Sequence, residues 1–268
     1  MTTRTYIPSS GAFGKLKRLQ ARLFERDPIE VDPDRLVVSI TFDDFPKSAG
    51  DVGAAELEKR GWRGTYYTAA GFIGSSTHHG EMLSADDVRR LHAAGHEIGC
   101  HTLDHTDLGQ ISPAEAQTQC DQNEAALREL GFDDKLTAFA FPYGESAPAV
   151  KAALGERFET LRGVQPGINR NGSDRLLLKA VGIDGGADGI AKAHLWIKAA
   201  MAKPGWLIFY AHDIQDKPTE WGCTVEQYVG LLDAIADSKA VVLPVSEAYR
   251  SLTASYRSGK ANRAAVAT

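Results

Sequence analysis

The sequence predicts an α/β protein whose parallel strands close into a (β/α) barrel. Eight short runs rich in β-branched and aromatic residues follow residue 35, and several are apolar along their whole length, as in strands buried on both faces. Helical patterns alternate with these runs. Turn and capping residues bound the helices at both ends. Together these observations favour a barrel over an open sheet, because eight strands with at least six intervening helices fit that architecture.

Each apolar run is predicted to be a strand. They cover residues 36–42, 64–69, 97–101, 137–141, 159–164, 176–181, 205–210 and 240–245. Three helices have a start signal, an N-cap residue matched three positions later by a side chain that can complete a capping box. These pairs are Ser84 with Asp87, Ser112 with Glu115, and Thr224 with Gln227. Gly61, Gly95 and Gly131 follow helical patterns and predict helix C-termini.

Residues 1–34 form an N-terminal segment that contains a basic amphipathic helix. Its apolar residues recur at helical spacing, and basic residues occupy the other faces. The apolar set is Phe13, Leu16, Leu19, Leu23 and Phe24, and the basic set is Lys15, Lys17, Arg18, Arg22 and Arg26. Two explanations stay open: the helix packs on the barrel or joins two copies as a homodimer, or it attaches to a membrane surface. Residues 35–257 form the barrel domain, and residues 258–268 are predicted to be a flexible tail.

Composition excludes several classes of protein. Of 268 residues, 43% are hydrophobic and 24% are charged, which is typical of a globular protein rather than a disordered chain. Thirty basic against 35 acidic residues leave a net charge of −5, so no nucleic-acid partner is expected. Three cysteines without CxxC spacing indicate a reducing compartment. We see no signal peptide and no membrane span, and therefore expect a cytoplasmic protein, with the basic helix allowing a place at the inner face of the membrane.

Polar residues follow four of the predicted strands, at the barrel end where catalytic residues usually lie. Asp43 and Asp44 come directly after the first strand, and His101 and His105 stand at the third. Adjacent carboxylates repel one another unless a cation or a raised pKa relieves the repulsion, and a turn or a helix cap is the alternative explanation of such a pair. Two histidines four residues apart can reach one metal ion, and a carboxylate from another strand would complete a set with one open position for water. We therefore predict one divalent metal ion: Zn²⁺, with Co²⁺, Ni²⁺ or Mn²⁺ as alternatives.

Two further strand ends complete the candidate site. His212 follows the apolar strand at residues 205–210 and could protonate a leaving group, since histidine titrates near neutral pH. A buried histidine bonded to a backbone carbonyl is the competing explanation. Trp221, in the loop after His212, could stack on a sugar ring or pack under a lid. His78 and His79 lie in a predicted loop, where they could contact substrate or face solvent, and we expect them to face solvent.

These motifs resemble the polysaccharide deacetylases, carbohydrate esterase family 4, also called the NodB homology domain. Four of the family's five sequence blocks occur in the family's order. They are Thr-Phe-Asp-Asp at residues 41–44, His-Thr-Leu-Asp-His at 101–105, Phe-Ala-Phe-Pro-Tyr-Gly at 139–144, and the histidine block at 208–213. The resemblance implies a distorted (β/α) barrel of about seven to eight parallel strands, with fewer than eight in the closed ring.

The resemblance also implies roles for individual residues. Asp43 would be the catalytic base, Asp44, His101 and His105 the metal ligands, and His212 the general acid. Pro142 and Tyr143 would border the substrate, and the backbone N–H of Tyr143 would help to bind the oxyanion. The chain departs from the family at Ala140, where an arginine usually contacts the catalytic aspartate, and it lacks the aspartate-tryptophan block that usually tunes the acid histidine. Arg162 and Asp184 are the candidates to substitute.

The function expected from this resemblance is metal-dependent hydrolysis of N-acetyl groups on an N-acetylated polysaccharide or oligosaccharide. The substrate would be a bacterial exopolysaccharide, a surface polysaccharide or its lipid-linked precursor. Two alternatives remain open. One is a metal-dependent amidohydrolase acting on a small formyl or ureide compound, and the other is a catalytically impaired homologue that binds glycans.

Overall fold

The computed structural model describes residues 11–266, with the backbone alone at residues 259 and 261–266. The first ten residues of the predicted N-terminal segment and the last two of the predicted tail lie outside this range. The helices are α1 (Ala12–Leu23), α2 (Ala54–Lys59), α3 (Ala85–Ala93), α4 (Pro113–Glu129), α5 (Pro148–Gly155), α6 (Gly186–Ala202), α7 (Val225–Asp237) and α8 (Val245–Val266). None of the helices within residues 11–266 is both long and apolar enough to cross a bilayer.

The main sheet is parallel and curled. Its strands are β1 (Leu36–Phe42), β2 (Thr65–Thr68), β5 (Glu97–Cys100), β6 (Ala138–Ala140), β7 (Thr160–Arg162), β8 (Val181–Gly182), β9 (Gly205–Ala211) and β10 (Val241–Val242). The order is β7-β6-β5-β2-β1-β9-β8, with β10 beside the start of β1. A parallel bridge joins Arg162 to Leu178, shortly before β8, and so brings the two ends of the sheet towards each other.

Alternation along the strands divides the buried side chains between the two faces of the sheet. The outer face packs against the helices and includes Val38, Ile40, Phe42, Leu207 and Phe209. The inner face contributes a smaller cluster, which includes Val37, Tyr67, Ala140, Trp206 and Ile208. Ile29 and Val31 join this inner cluster, so the segment after α1 covers part of the barrel interior. Side chains that point inward near the strand C-termini therefore face one another across a narrow space.

The predicted helix starts are confirmed. Ser84, Ser112 and Thr224 each accept a hydrogen bond from the backbone N–H three residues later, and each of these residues returns a side-chain bond. Such a reciprocal cap satisfies two backbone N–H groups that a helix terminus leaves without a partner. Helices α3 and α4 are followed by Gly95 and Gly131, both with positive φ, at the predicted stop positions.

The structure differs from the sequence prediction in three places. Residues 175–177 form a 3₁₀ turn because the Asp174 side chain accepts the backbone N–H of Leu176, so the strand predicted at 176–181 is reduced to β8. Strands β3 (Ser76–Thr77) and β4 (Gly80–Glu81) form a hairpin that was not predicted. Helix α8 continues to Val266, through most of the segment predicted as a flexible tail, since its alanine, lysine and arginine residues favour a helix.

Candidate metal centre

The predicted site residues converge at the carboxyl end of the sheet. Asp43 and Asp44 follow β1, His101 follows β5, and His212 follows β9. Strands β5 and β9 flank the central pair β2 and β1 in the sheet. Because all of these strands are parallel, the loops that leave them emerge at one edge and their side chains can meet there.

Left-handed backbone turns aim several of these side chains. Seven non-glycine residues within the described range have positive φ, and five of them belong to this site. They are Asp44 (φ 62°), Phe45 (φ 72°), Thr102 (φ 63°), His105 (φ 53°) and Tyr143 (φ 58°). A non-glycine residue in such a conformation costs on the order of 1–3 kcal/mol, so the surrounding fold must stabilise each turn. The strain is concentrated where the ligands turn inward.

Asp44, His101 and His105 form a compact set of metal-ligand atoms. The Oδ1 atom of Asp44 lies 3.0 Å from His105 Nε2 and 3.4 Å from His101 Nε2. The two imidazole rings meet edge to face with centroids 4.8 Å apart. His101 donates its Nδ1–H to the Ala140 carbonyl at 2.8 Å, so its Nε2 carries the lone pair that faces Asp44. This second-sphere bond is the usual way in which a protein orients a metal-ligating histidine.

The chemistry of this set fits a divalent cation. Asp44 Oδ1 is buried and has no hydrogen-bond partner among the described residues. A buried carboxylate oxygen that faces histidine lone pairs is destabilised unless a positive charge lies between them. Burial, the largest effect, lowers the pKa of His105 to about 4, so its imidazole is neutral and able to ligate at pH 7. Two imidazoles and one carboxylate leave a coordination position for water, as in catalytic rather than structural metal sites.

Histidines keep Asp44 ionised. Burial alone would raise the pKa of this carboxyl, but the surrounding imidazoles of His105, His101 and His79 outweigh that effect and hold the pKa well below its usual range. Asp44 is therefore an anion at any pH at which the protein would be assayed. An ionised carboxylate is the form that binds a metal.

The second aspartate, Asp43, is held by Arg162. The guanidinium Nη2 of Arg162 donates to Asp43 Oδ1, and both side chains are buried. The rings of Tyr67 and Tyr210 lie 5.1 and 5.3 Å from the guanidinium carbon and form cation–π contacts with it. A buried charge is tolerated when it is paired in this way.

The position of Arg162 explains the departure at Ala140. In the parallel ladder between β6 and β7, Ala140 pairs with Arg162. Paired residues of neighbouring strands point to the same face, about 5 Å apart. The guanidinium that the family resemblance placed at position 140 is therefore provided by Arg162 on the adjacent strand. Asp184, the other candidate, is half-buried, and burial with the nearby charge of Asp43 raises its pKa to about 6.

His212 and Trp221 border the site together. His212 donates Nδ1–H to the Trp221 carbonyl at 3.2 Å, and its ring lies 6.3 Å from the indole. Burial lowers the pKa of His212, against the opposing charges of Asp44 and Asp43. The Trp221 side chain is 45% exposed, so its face is accessible at the rim. His212 thus bonds to a backbone carbonyl, as one prediction had it, and also lies near the two aspartates, as a general acid would.

Pro142 and Tyr143 belong to a turn beside His105. Pro142 is buried in a 3₁₀ turn after β6, and the left-handed Tyr143 places its ring edge to face on His105 with centroids 4.3 Å apart. Burial raises the pKa of the Tyr143 hydroxyl to about 12, so it stays protonated. The Tyr143 side chain therefore packs against a candidate metal ligand.

The prediction that His79 faces solvent is wrong. The β3–β4 hairpin buries this side chain, whereas the neighbouring His78 is exposed. His79 Nε2 lies 3.4 Å from Asp44 Oδ2, its Nδ1 lies 3.6 Å from Asp213 Oδ1, and its ring stacks on His212 at 4.8 Å. Burial opposes protonation, but hydrogen bonds that His79 donates to the carboxylates of Asp213 and Asp44 raise its pKa to about 9. Nothing in the local sequence pattern signals this contact, because the hairpin is short and polar.

His79 creates a second possible ligand set. Asp44, His79 and His212 also offer one ligand atom each within 4.8 Å of one another. Both sets include Asp44, so they are alternative sites for one metal ion. The raised pKa of His79 favours the first set, since a protonated imidazole cannot bind a metal.

Comparison with known families agrees with this site. Residues 30–157 match the family model described as polysaccharide deacetylase. This stretch contains the three ligands of the first set with Asp43 and Tyr143, whereas Arg162 and His212 lie beyond it.

Two curated relatives are each 24% identical to the chain. One is the Bacillus subtilis protein YxkH, whose name assigns it to the polysaccharide deacetylases, matched over 160 residues, 59% of this chain and 56% of that protein. The other is a chitin deacetylase of Arthroderma benhamiae, matched over 119 residues, 44% of this chain and 31% of that protein. The chain thus spans about half of the first relative and less of the second.

Solved structures share the fold. A chitin deacetylase from the fungal pathogen Colletotrichum lindemuthianum has a TM-score of 0.60 at 21% identity, covering 83% of this chain and 91% of that chain. A CE4 family pseudoenzyme from Bacillus anthracis has a TM-score of 0.57 at 14% identity, covering 84% and 69%. This likeness confirms the predicted distorted (β/α) barrel.

The two ligand sets make opposite predictions for metal affinity. We expect His105→Ala to abolish tight binding of Zn²⁺ or Co²⁺, because it removes a ligand of the first set. His79→Ala should weaken binding only about 10- to 100-fold, as for residues that orient a ligand. Titration calorimetry against a competing chelator measures both. If His79→Ala and His212→Ala abolish binding while His105→Ala keeps it, the second set holds the metal instead.

Proposed function

We propose that the chain, which belongs to the polysaccharide deacetylase family, hydrolyses N-acetyl groups of N-acetylated amino sugars with the help of one divalent metal ion. The substrate proposed is a bacterial exopolysaccharide, a surface polysaccharide or its lipid-linked precursor. The observation that carries this proposal is the buried Asp44 oxygen, which has no hydrogen-bond donor within residues 11–266 and faces two histidine nitrogens beside a second, arginine-bound aspartate.

In the proposed mechanism each aspartate has one task. Asp44, His101 and His105 would hold the metal, with Zn²⁺ the first candidate and Co²⁺, Ni²⁺ or Mn²⁺ as alternatives. When bound, such an ion supplies Lewis-acid polarisation and lowers the pKa of water. Asp43 would accept the proton of the attacking water, because it follows Asp44 directly and its other contact, Arg162, fixes its orientation.

The leaving amine requires a proton, which we assign to His212. Its Nδ1–H is engaged by the Trp221 carbonyl, so the Nε2 atom is the one that would exchange a proton with substrate. As water adds to the acetyl carbon, the carbonyl oxygen gains negative charge, and the backbone N–H of Tyr143 would help to bind this oxyanion. The exposed indole of Trp221 would stack on a sugar ring at the rim.

Arg162 removes one of two reasons to regard the chain as an impaired homologue. That alternative followed from Ala140, where the family's arginine is absent, and from the missing aspartate-tryptophan block. The same charge reaches Asp43 from the register partner of Ala140. A small formyl or ureide substrate stays an alternative to an amino sugar, and substrate profiling separates these two reactions.

Removal of the base tests the catalytic assignment. With metal restored after chelation, Asp43→Asn should lower kcat for acetate release from N-acetylglucosamine oligomers on the order of 10³-fold, because general-base catalysis contributes about that much. Asp188→Asn, at an exposed position of α6, is the matched control and should keep normal activity. Full activity in Asp43→Asn would exclude the role of Asp43. Turnover of formyl or ureide compounds alone, with no acetate from any sugar, would favour the amidohydrolase.

Moving the guanidinium from position 162 to position 140 tests the role of Arg162. Arg162→Ala should lower kcat about 100-fold with little change in KM, since Asp43 would lose its orienting partner. The double variant Ala140→Arg/Arg162→Ala returns a guanidinium from the paired position and should recover part of that loss. Thermal unfolding with metal bound checks that both variants fold. Undiminished kcat in Arg162→Ala, or a folded double variant no better than the single one, contradicts this role.

A further inference from the structure

Helix α1 exposes an apolar face. Phe13, Leu16, Leu19, Leu23 and the following Phe24 are between 48% and 69% exposed. They make up five of the nine large hydrophobic side chains found exposed in the part of the chain that the structure describes. The small residues Gly14 and Ala21 occupy the buried side of the helix. An exposed apolar patch of this kind marks an interaction surface in a protein that is otherwise well packed.

The helix is fixed to the barrel beside the metal centre. Arg18 Nη1 donates to Glu145 Oε1 at 2.6 Å, and Lys17 Nζ donates to the Gly109 carbonyl at 3.3 Å. Gly109 stands four residues after the ligand His105, and Glu145 two residues after Tyr143. The fully buried amine of Lys151 donates to the Ala21 carbonyl at 2.6 Å and binds Asp174 at the same distance. The apolar face is therefore held next to the loops that form the site.

Basic side chains cluster near the C-terminal end of α1. Arg22 and Arg26 line a cavity of about 260 Å³ together with Arg170 and Lys179. Asp174 is the carboxylate in this lining, and its charge is paired with Lys151. Arg26 donates to the Gly172 carbonyl at 2.7 Å, and Arg170 donates to the carbonyls of residues 203 and 204, so neither is paired with an acid in the part of the chain that the structure describes. Four cations beside an apolar face give this region a positive charge, although the chain as a whole has a charge of −5.

We propose that α1 docks the protein on an anionic phospholipid surface. The apolar side chains would enter the boundary between headgroups and acyl chains, and Arg22, Arg26 and Lys179 would contact lipid phosphates. A helix with these two faces lies in the membrane plane and does not cross it. The cytoplasmic leaflet carries the negative surface potential that attracts such a cluster.

Docking would bring the metal centre close to the bilayer. Since Gly109 and Glu145 contact α1 and belong to the loops of His105 and Tyr143, the mouth of the site would lie near the headgroups. An N-acetylated sugar on a lipid carrier would reach it there. This consequence rests on the proposed function, whereas the docking itself does not.

Vesicle sedimentation of the full chain tests the docking. We expect binding to vesicles of phosphatidylcholine with phosphatidylglycerol and little binding to phosphatidylcholine alone. Leu16→Asp/Leu23→Asp should reduce binding more than tenfold, and Arg22→Gln/Arg26→Gln roughly 30-fold, since each cation near an anionic surface contributes about one kcal/mol. Leu195→Asp, at a 63% exposed leucine of α6, is the matched control and should bind normally.

The outcomes separate docking from catalysis. Binding is measured on Asp43→Asn as well, and acetate release from water-soluble oligomers is measured on Leu16→Asp/Leu23→Asp, where it should be unchanged. Failure of the wild-type chain to bind the anionic vesicles would overturn the proposal. So would a dimer seen by light scattering that Leu16→Asp/Leu23→Asp dissociates while vesicles are not bound, because a second copy would then cover the face.

Discussion

The buried carboxylate of Asp44 is the constraint on which the site depends. One of its oxygens lacks any hydrogen-bond donor in the described chain, and histidine nitrogens lie 3.0 and 3.4 Å from it. A protein interior does not tolerate such an arrangement cheaply, because a buried polar atom left without a hydrogen-bond partner costs about 1–3 kcal/mol, and more when the group is charged. A divalent cation would change repulsion among the ligands into coordination. The same ion would give the neighbouring Asp43 a water molecule to deprotonate.

The fold stabilises what the site alone could not. Five residues around the centre have a left-handed backbone conformation although none of them is glycine. The curled parallel sheet holds the ends of β1, β5, β6 and β9 at one edge, and its interior encloses Arg162 between Tyr67 and Tyr210. Stability of the barrel thus offsets local strain. Helix α1 is part of the same construction, since Lys151 binds its carbonyl oxygens from within the core.

Local patterns in the sequence predict the elements and ligands that depend on neighbouring residues. The paired aspartates, the histidines four residues apart and the three capping boxes are all of this kind, and the structure brings the first two together. Arg162 is different, because its contact with Asp43 depends on the register between β6 and β7. His79 depends on a hairpin of two-residue strands, which has no apolar alternation. Long-range pairing of this kind leaves no mark in a single sequence.

The most direct test is a crystal structure of the metal-loaded protein with anomalous diffraction at the metal absorption edge. Our account predicts one ion bound by His101 Nε2, His105 Nε2 and an oxygen of Asp44, with Asp43 beside the open coordination position and still bound to Arg162. An ion coordinated by His79 and His212 instead, or crystals in which these side chains adopt the same positions and no ion binds, would contradict it.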